Sequence, residues 1–176
     1  MSRIAPLLPE NATGHTEQVF AAIKRALGVV PNLYRTVGHQ AKTLETVLNF
    51  GAGQPTLTAK EKEVIALAVA EANGCHYCLA AHSFLAKAAG LSADESQAAR
   101  RGASCDPKRA ALLGLVTGIV AGRGAVDDAT YAAFLAAGYT EAQVPEVVLA
   151  VTQNLFTNYF NNLNGTAVDF PAAPAL

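Results

Sequence analysis

From Thr16 to about Asn162 the chain is punctuated as a series of helices, and this constrains its fold more than any other feature. Thr16 opens a stretch with Val19, Phe20, Ile23 and Leu27 on one face, and Gly28 closes it. Pro31 suits the first turn of a short second helix ending near Gly38, and a third runs from about Lys42 to Phe50 before Gly51-Ala52-Gly53. Thr58 with Glu61 forms a capping box that launches a helix over Ala59 to Asn73, stopped by Gly74. The next helix begins at about Cys75 and runs to Ala89, followed by Gly90. Ser92 with Glu95 is a second capping box, and Asp106-Pro107 leads into Lys108–Ala121. Asp127 opens a helix closed by Gly138, and Thr140 with Gln143 caps a long last helix through Val147, Val151 and Leu155. Alanine, the strongest helix former, occurs 36 times, and runs alternating apolar and polar residues are scarce. The expectation is a single all-α domain over residues 1–176, of eight or nine helices, with a central helical hairpin. Residues 1–12 read as an irregular N-terminal arm and 167–176 as a Pro-rich tail. Strand–helix alternation is missing, which excludes a βαβ redox scaffold. Leu57-Thr58…Val64–Val69 and Tyr139-Thr140…Glu146–Val151 echo one another faintly, as two related halves or simply two similar amphipathic helices.

Charged residues make up 15% of the chain, against roughly 25% in an average soluble domain. So little charge suits a surface partly covered by other subunits, and a homo-oligomer is expected. A net charge of −1 with scattered Lys and Arg leaves no basic footprint for nucleic acid. The apolar stretches Val64–Ala70 and Ala110–Gly122 fall short of the about 20 residues that span a bilayer, so no membrane partner is expected. Met1-Ser2-Arg3-Ile4-Ala5-Pro6 has no apolar core of a secretory signal, which points to the cytoplasm. Three cysteines in that reducing setting are no disulfide framework. A close pair there is more often catalytic or metal-binding.

That pair is Cys75-His76-Tyr77-Cys78, with His82 one turn further on. Placed in the first turn of a helix, both sulfurs meet unpaired N–H groups and a dipole that favour thiolate, the form that attacks peroxides and disulfides. Helical residues three apart have Cβ atoms about 5–6 Å apart, slightly too far for a relaxed disulfide, so a bond here would form and break readily. His82 shares the face of Cys78 and can take its proton or return one to a leaving group. Cys75 is then the natural resolving thiol, condensing with a sulfenic acid on Cys78. If the two helices fold back about Asn73-Gly74, Glu63 lies within about 4.5 Å of His82 along the axis. A glutamate–histidine–cysteine relay is then geometrically allowed, with Glu71 as a competing carboxylate.

Plainer readings exist. Cys75, Cys78 and His82 make three zinc ligands, but a structural zinc needs a fourth, from Cys105, His15, His39 or Glu63. Buried cysteine is common in cores, and Glu63 early in a helix also complements the dipole. Cys105 reads as a bystander, and His15 and His39 as surface residues. His76 reads as pointing off the site, and Tyr77 as covering the disulfide or simply packing. Asn154, Asn158, Asn161 and Asn162 read as a pocket lining or an amide face at a subunit contact.

Leu57 through Leu67, with Glu63 within it, and Gly74-Cys75-His76-Tyr77-Cys78 to His82 resemble the alkylhydroperoxidase D-like (AhpD-like) branch of the carboxymuconolactone decarboxylase superfamily. Asn158-Tyr159-Phe160-Asn161…Asp169-Phe170-Pro171 resembles its peroxidase-related subgroup. The resemblance implies an all-helical fold, trimers or hexamers (dimeric arrangements also occur), and reduction of hydroperoxides without a cofactor. It implies Cys78 as peroxidatic thiol, Cys75 as resolving thiol, and Glu63 and His82 as proton relay. It also implies an external thiol or lipoyl-type reductant. One position departs: family peroxidases carry histidine before the second cysteine, where this chain has Tyr77. True decarboxylases of the superfamily lack the CxxC. The alternatives are a general disulfide reductase, and a redox-sensing or zinc-stabilised assembly module.

Overall fold

The computed structural model describes residues 2–176. Among them are nine α-helices and no strand: α1 (Gly14–Leu27), α2 (Asn32–Val37), α3 (Ala41–Asn49), α4 (Ala59–Ala72), α5 (His76–Ala88), α6 (Ala93–Arg100), α7 (Pro107–Gly122), α8 (Asp128–Ala136) and α9 (Gln143–Asn164). The expected all-α class and the helical hairpin are both present. Residues 2–12 are irregular except for a 3-10 turn at Pro9–Asn11.

The capping boxes at Thr58/Glu61 and Ser92/Glu95 form with both reciprocal bonds. At Thr140 only half of the box appears: Gln143 Oε1 accepts from the Thr140 N–H, and α9 starts three residues later, at Gln143 itself. The start of α1 lies two residues earlier than Thr16, because Gly14 already turns helical after Thr13.

α4 is the axis of the molecule. Val64 through Ala70 are all buried, a run too long for one helical face, so this helix is enclosed on every side. It packs against α5, α6, α7 and α9. On one side it joins Leu112, Leu113, Val116, Phe134, Val147 and Val151 in the larger apolar cluster. Its end, together with the start of α5, joins a second cluster with Phe20, Ile23, Leu33, Val37 and Leu44 from α1–α3. The hairpin between α4 and α5 is tight. Gly74 takes φ +59°, the left-handed conformation that glycine adopts without a Cβ penalty, and the Cys75 N–H closes onto the Ala70 carbonyl at 2.9 Å.

Residues 167–176 contain no helix, yet they lie against the body. Asp169 accepts from the Asn32 N–H (2.7 Å) and from the Tyr77 hydroxyl (2.8 Å), and Phe170 meets the Tyr77 ring edge-on. No helix among the described residues is long and apolar enough to cross a membrane.

Candidate active site

Cys75 is the N-cap of α5 rather than part of its first turn, with φ −88° and ψ 92°. This corrects the spacing expected from two helical residues. With an extended backbone, Cys75 turns its side chain back over the helix start, and the two sulfurs approach to 2.8 Å as free thiols. Cys75 Sγ accepts from the Cys78 N–H and donates its own hydrogen to Cys78 Sγ. Both residues are buried.

The asymmetry between the sulfurs follows from that bond. The thiol of Cys75 donating to it lowers the pKa of Cys78, burial works against this, and the charge of His82 and the amides of Asn161 and Asn158 add to the lowering. The result is about 6. Cys75 moves the other way, because its proton is engaged by Cys78 and burial disfavours a second anion. Asn161 Nδ2 donates to Cys78 Sγ at 3.3 Å, and Asn158 Nδ2, buried nearby, has no conventional partner. Asn158 Oδ1 instead accepts from Asn73, and Asn162 Nδ2 donates to the Asn73 carbonyl at 2.9 Å. The asparagines of α9 therefore pin the hairpin turn and solvate the sulfur together.

The hairpin also brings α4 and α5 into the register that joins Glu63 to His82. Glu63 Oε2 lies 2.8 Å from His82 Nδ1, which leaves Nε2 as the nitrogen without a protein partner. Burial disfavours the charged ring, but the hydrogen bond and charge of Glu63, with the charge of Cys78, outweigh it and raise the His82 pKa. Glu71 is not brought to this site. It pairs with Arg100 at 2.7 Å, since it lies on the turn of α4 that faces α6. His76 is exposed. Tyr77 is buried, with its hydroxyl held between Asp169 and the Leu33 N–H.

Cys78, His82 and Glu63 open on a cavity of about 430 Å³. Its walls are mainly apolar, with Leu27, Val29, Leu33, Phe84 and Phe170 among them, and Gln54 and Gln153 add a hydrogen-bonded amide pair. Of the candidates for a fourth metal ligand, Cys105 is exposed, His15 faces Glu45 and His39 bonds to the Ala5 carbonyl, while Glu63, at the site, is held by His82. Among the described residues no group of three His, Cys, Asp or Glu is arranged to hold a metal ion.

Sequence reasoning singled out Asn161 as one of a polar cluster without seeing its role as a sulfur ligand. It named Asp169 only as part of the motif that carries the subgroup resemblance and gave no part to Tyr34, although both line the cavity. The unusual density of asparagine on one apolar helix was the available signal.

Residues 41–106 match the model of the Carboxymuconolactone decarboxylase family. No curated protein matches the sequence. Among solved structures, the chain is similar to the alkylhydroperoxidase AhpD core of an uncharacterized peroxidase-related protein from Ralstonia eutropha JMP134. That match has a TM-score of 0.85 at 20% identity and covers 96% of this chain and 92% of that one. A peroxidase-related protein from Silicibacter sp. TM1040 gives 0.80 at 18% identity, covering 94% and 92%. The debrominase Bmp8, as a cysteine-to-alanine variant in complex with 2,3,4-tribromopyrrole, gives 0.80 at 19% identity, covering 96% and 92%. The resemblance drawn from the Glu63–CxxC–His82 segment is thus borne out, in sequence over residues 41–106 and in fold over nearly the whole chain.

Proposed function

We propose that this chain, AhpD-like in fold and a bearer of the carboxymuconolactone decarboxylase segment, is a thiol-dependent peroxidase acting on organic hydroperoxides. The observation that carries this reading is the polarised sulfur pair. Cys75 donates its hydrogen to a Cys78 whose pKa sits at about 6, beside a histidine held by a carboxylate. At neutral pH Cys78 is then chiefly thiolate, and His82 is the neighbouring acid.

The Cys78 thiolate attacks the terminal oxygen of ROOH. An S–O bond forms, the O–O bond breaks, and the RO oxygen leaves with the electron pair and takes a proton from the His82 imidazolium. Cys78 is now a sulfenic acid. The Cys75 thiol attacks its sulfur, forming the disulfide and releasing water. An external dithiol, of lipoyl type in the expectation drawn above, reduces the disulfide and becomes oxidised itself. Glu63 holds the His82 ring in place and balances its charge through the first step. The apolar walls of the cavity favour a substrate with a hydrocarbon body over hydrogen peroxide.

The test is stopped-flow mixing of the reduced protein with cumene hydroperoxide under single turnover. Loss of two thiols per chain is expected, together with one cumyl alcohol. Cys78→Ser loses the reaction, while Cys75→Ser stalls at a sulfenic acid that dimedone traps. Retention of both thiols by the wild type removes the proposal. In that case turnover of lipoamide or insulin disulfides selects the reductase alternative, and debromination of a bromopyrrole selects the reaction for which the similar debrominase is named.

A further inference from the structure

Tyr34 has no part in the scheme above, yet it stands in the same cavity wall as Cys78, His82 and Glu63. It comes from α2, whereas Cys78 and His82 come from α5, so it reaches the cavity from a separate element. Its ring packs against the second apolar cluster. The two other largely buried tyrosines both have committed hydroxyls: Tyr77 to Asp169 and Leu33, Tyr139 to Glu61. Nothing among the described residues engages the Tyr34 hydroxyl. Tyr34 is only partly buried, so its O–H stays open to the solvent of the cavity, and a ligand that displaces that solvent can take over the bond by offering an acceptor. Burial first, and then the negative charges of Glu63 and Cys78, push its pKa above the ordinary value, so it keeps its proton and can only be a donor toward an anion.

Resting on the peroxidase reading, we propose that Tyr34 is a further catalytic residue, donating a hydrogen bond to the RO oxygen as it leaves the hydroperoxide. As Cys78 Sγ bonds to the terminal oxygen, negative charge grows on the RO oxygen, and a donor placed beforehand stabilises that charge more than it stabilises neutral ROOH. Tyr34 retains its proton throughout. The proton that completes ROH is still that of the His82 imidazolium, and the electrons still come from the Cys78 sulfur.

Tyr34→Phe removes the oxygen and keeps the ring, so packing is preserved and a thermal melt verifies it. Three reactions of the reduced protein separate a leaving-group donor from a structural role. With tert-butyl hydroperoxide the leaving group is a strongly basic alkoxide, and the variant should lose about 10²-fold in second-order rate, the usual effect of one oxyanion donor. With perbenzoic acid the leaving carboxylate is weakly basic, and with iodoacetamide the leaving iodide accepts no hydrogen bond of consequence. Both rates should stay close to wild type. Equal losses in all three would place the effect on the thiolate or on packing and overturn the proposal. Unchanged turnover of tert-butyl hydroperoxide by Tyr34→Phe, with the wild type active, would overturn it alone. A wild type inert to every hydroperoxide but rapidly alkylated would overturn the peroxidase reading, and this proposal with it.

Discussion

The Cys78 sulfur receives hydrogen bonds from both of its sides in sequence: Cys75 three residues before it and Asn161 eighty-three residues after. Only the first of these is local. Replacing Asn161 with leucine, close in size, removes the amide donor while filling the space. In the wild type, alkylation of Cys78 should rise with pH through a midpoint of about 6. Losing a donor to the anion favours the thiol, so the midpoint in Asn161→Leu should move upward, toward the about 8.5 of an ordinary cysteine. At pH 7 the variant is then the slower of the two, and near pH 9 they converge. pH-dependent iodoacetamide kinetics measure this, and an unmoved midpoint would mean the amide does not act on the sulfur. His82 and Glu63 were legible at this scale, because an i, i+4 step and a hairpin suffice to pair them. Asn161 was not, because no local rule links α9 to the start of α5.

Among the elements, α4 carries the greatest burden: it supplies the central packing and positions Glu63. Its start is secured by Thr58, whose hydroxyl accepts from the Glu61 N–H, while the Glu61 carboxylate also takes a 2.7 Å bond from Tyr139. Glu61 is buried, whereas the matching box at Ser92 is exposed. Thr58→Ala should cost about 1 kcal/mol, the usual loss for an N-cap. In a chain of this length that lowers Tm by about 2–4 °C. Ser92→Ala should cost no more than this, because water can replace its partners. Calorimetric melts of the two variants check the order, and a Ser92→Ala melt lower than that of Thr58→Ala would contradict it. The C-terminal segment 167–176 is the element read least well. Its prolines and lack of periodicity mark it as non-helical, but nothing local says that Asp169 will cap α2 and hold Tyr77.

For the whole molecule, the sparse charge has a counterpart on the surface. Val148, Tyr159 and Leu163 stand exposed on the outer side of α9, and Val148 and Tyr159 border a groove shared with α4 and α7. We propose that this face meets other copies of the chain. Sedimentation should give a species larger than a monomer, and Tyr159→Glu should shift it toward the monomer by placing a charge in the contact. A monomeric wild type would refute this and leave the low charge unexplained.

What the amino-acid order determined by itself was the set of helices, most of their ends, and the facing of Glu63, Cys78 and His82 across one hairpin. Helical hydrogen bonds, caps and glycine stops are closed within a few residues, so they can be read one segment at a time. The i, i+4 step to His82 already pointed to Cys78 as the attacking sulfur, and tertiary structure alone decided what surrounds and polarises it. Cys75 became a cap instead of a helical residue, and Asn161, Tyr34 and Asp169 came in from α9, α2 and the C-terminal segment. Their approach depends on how whole elements pack, and an energy shared among many distant side chains leaves no mark in the spacing of any one of them.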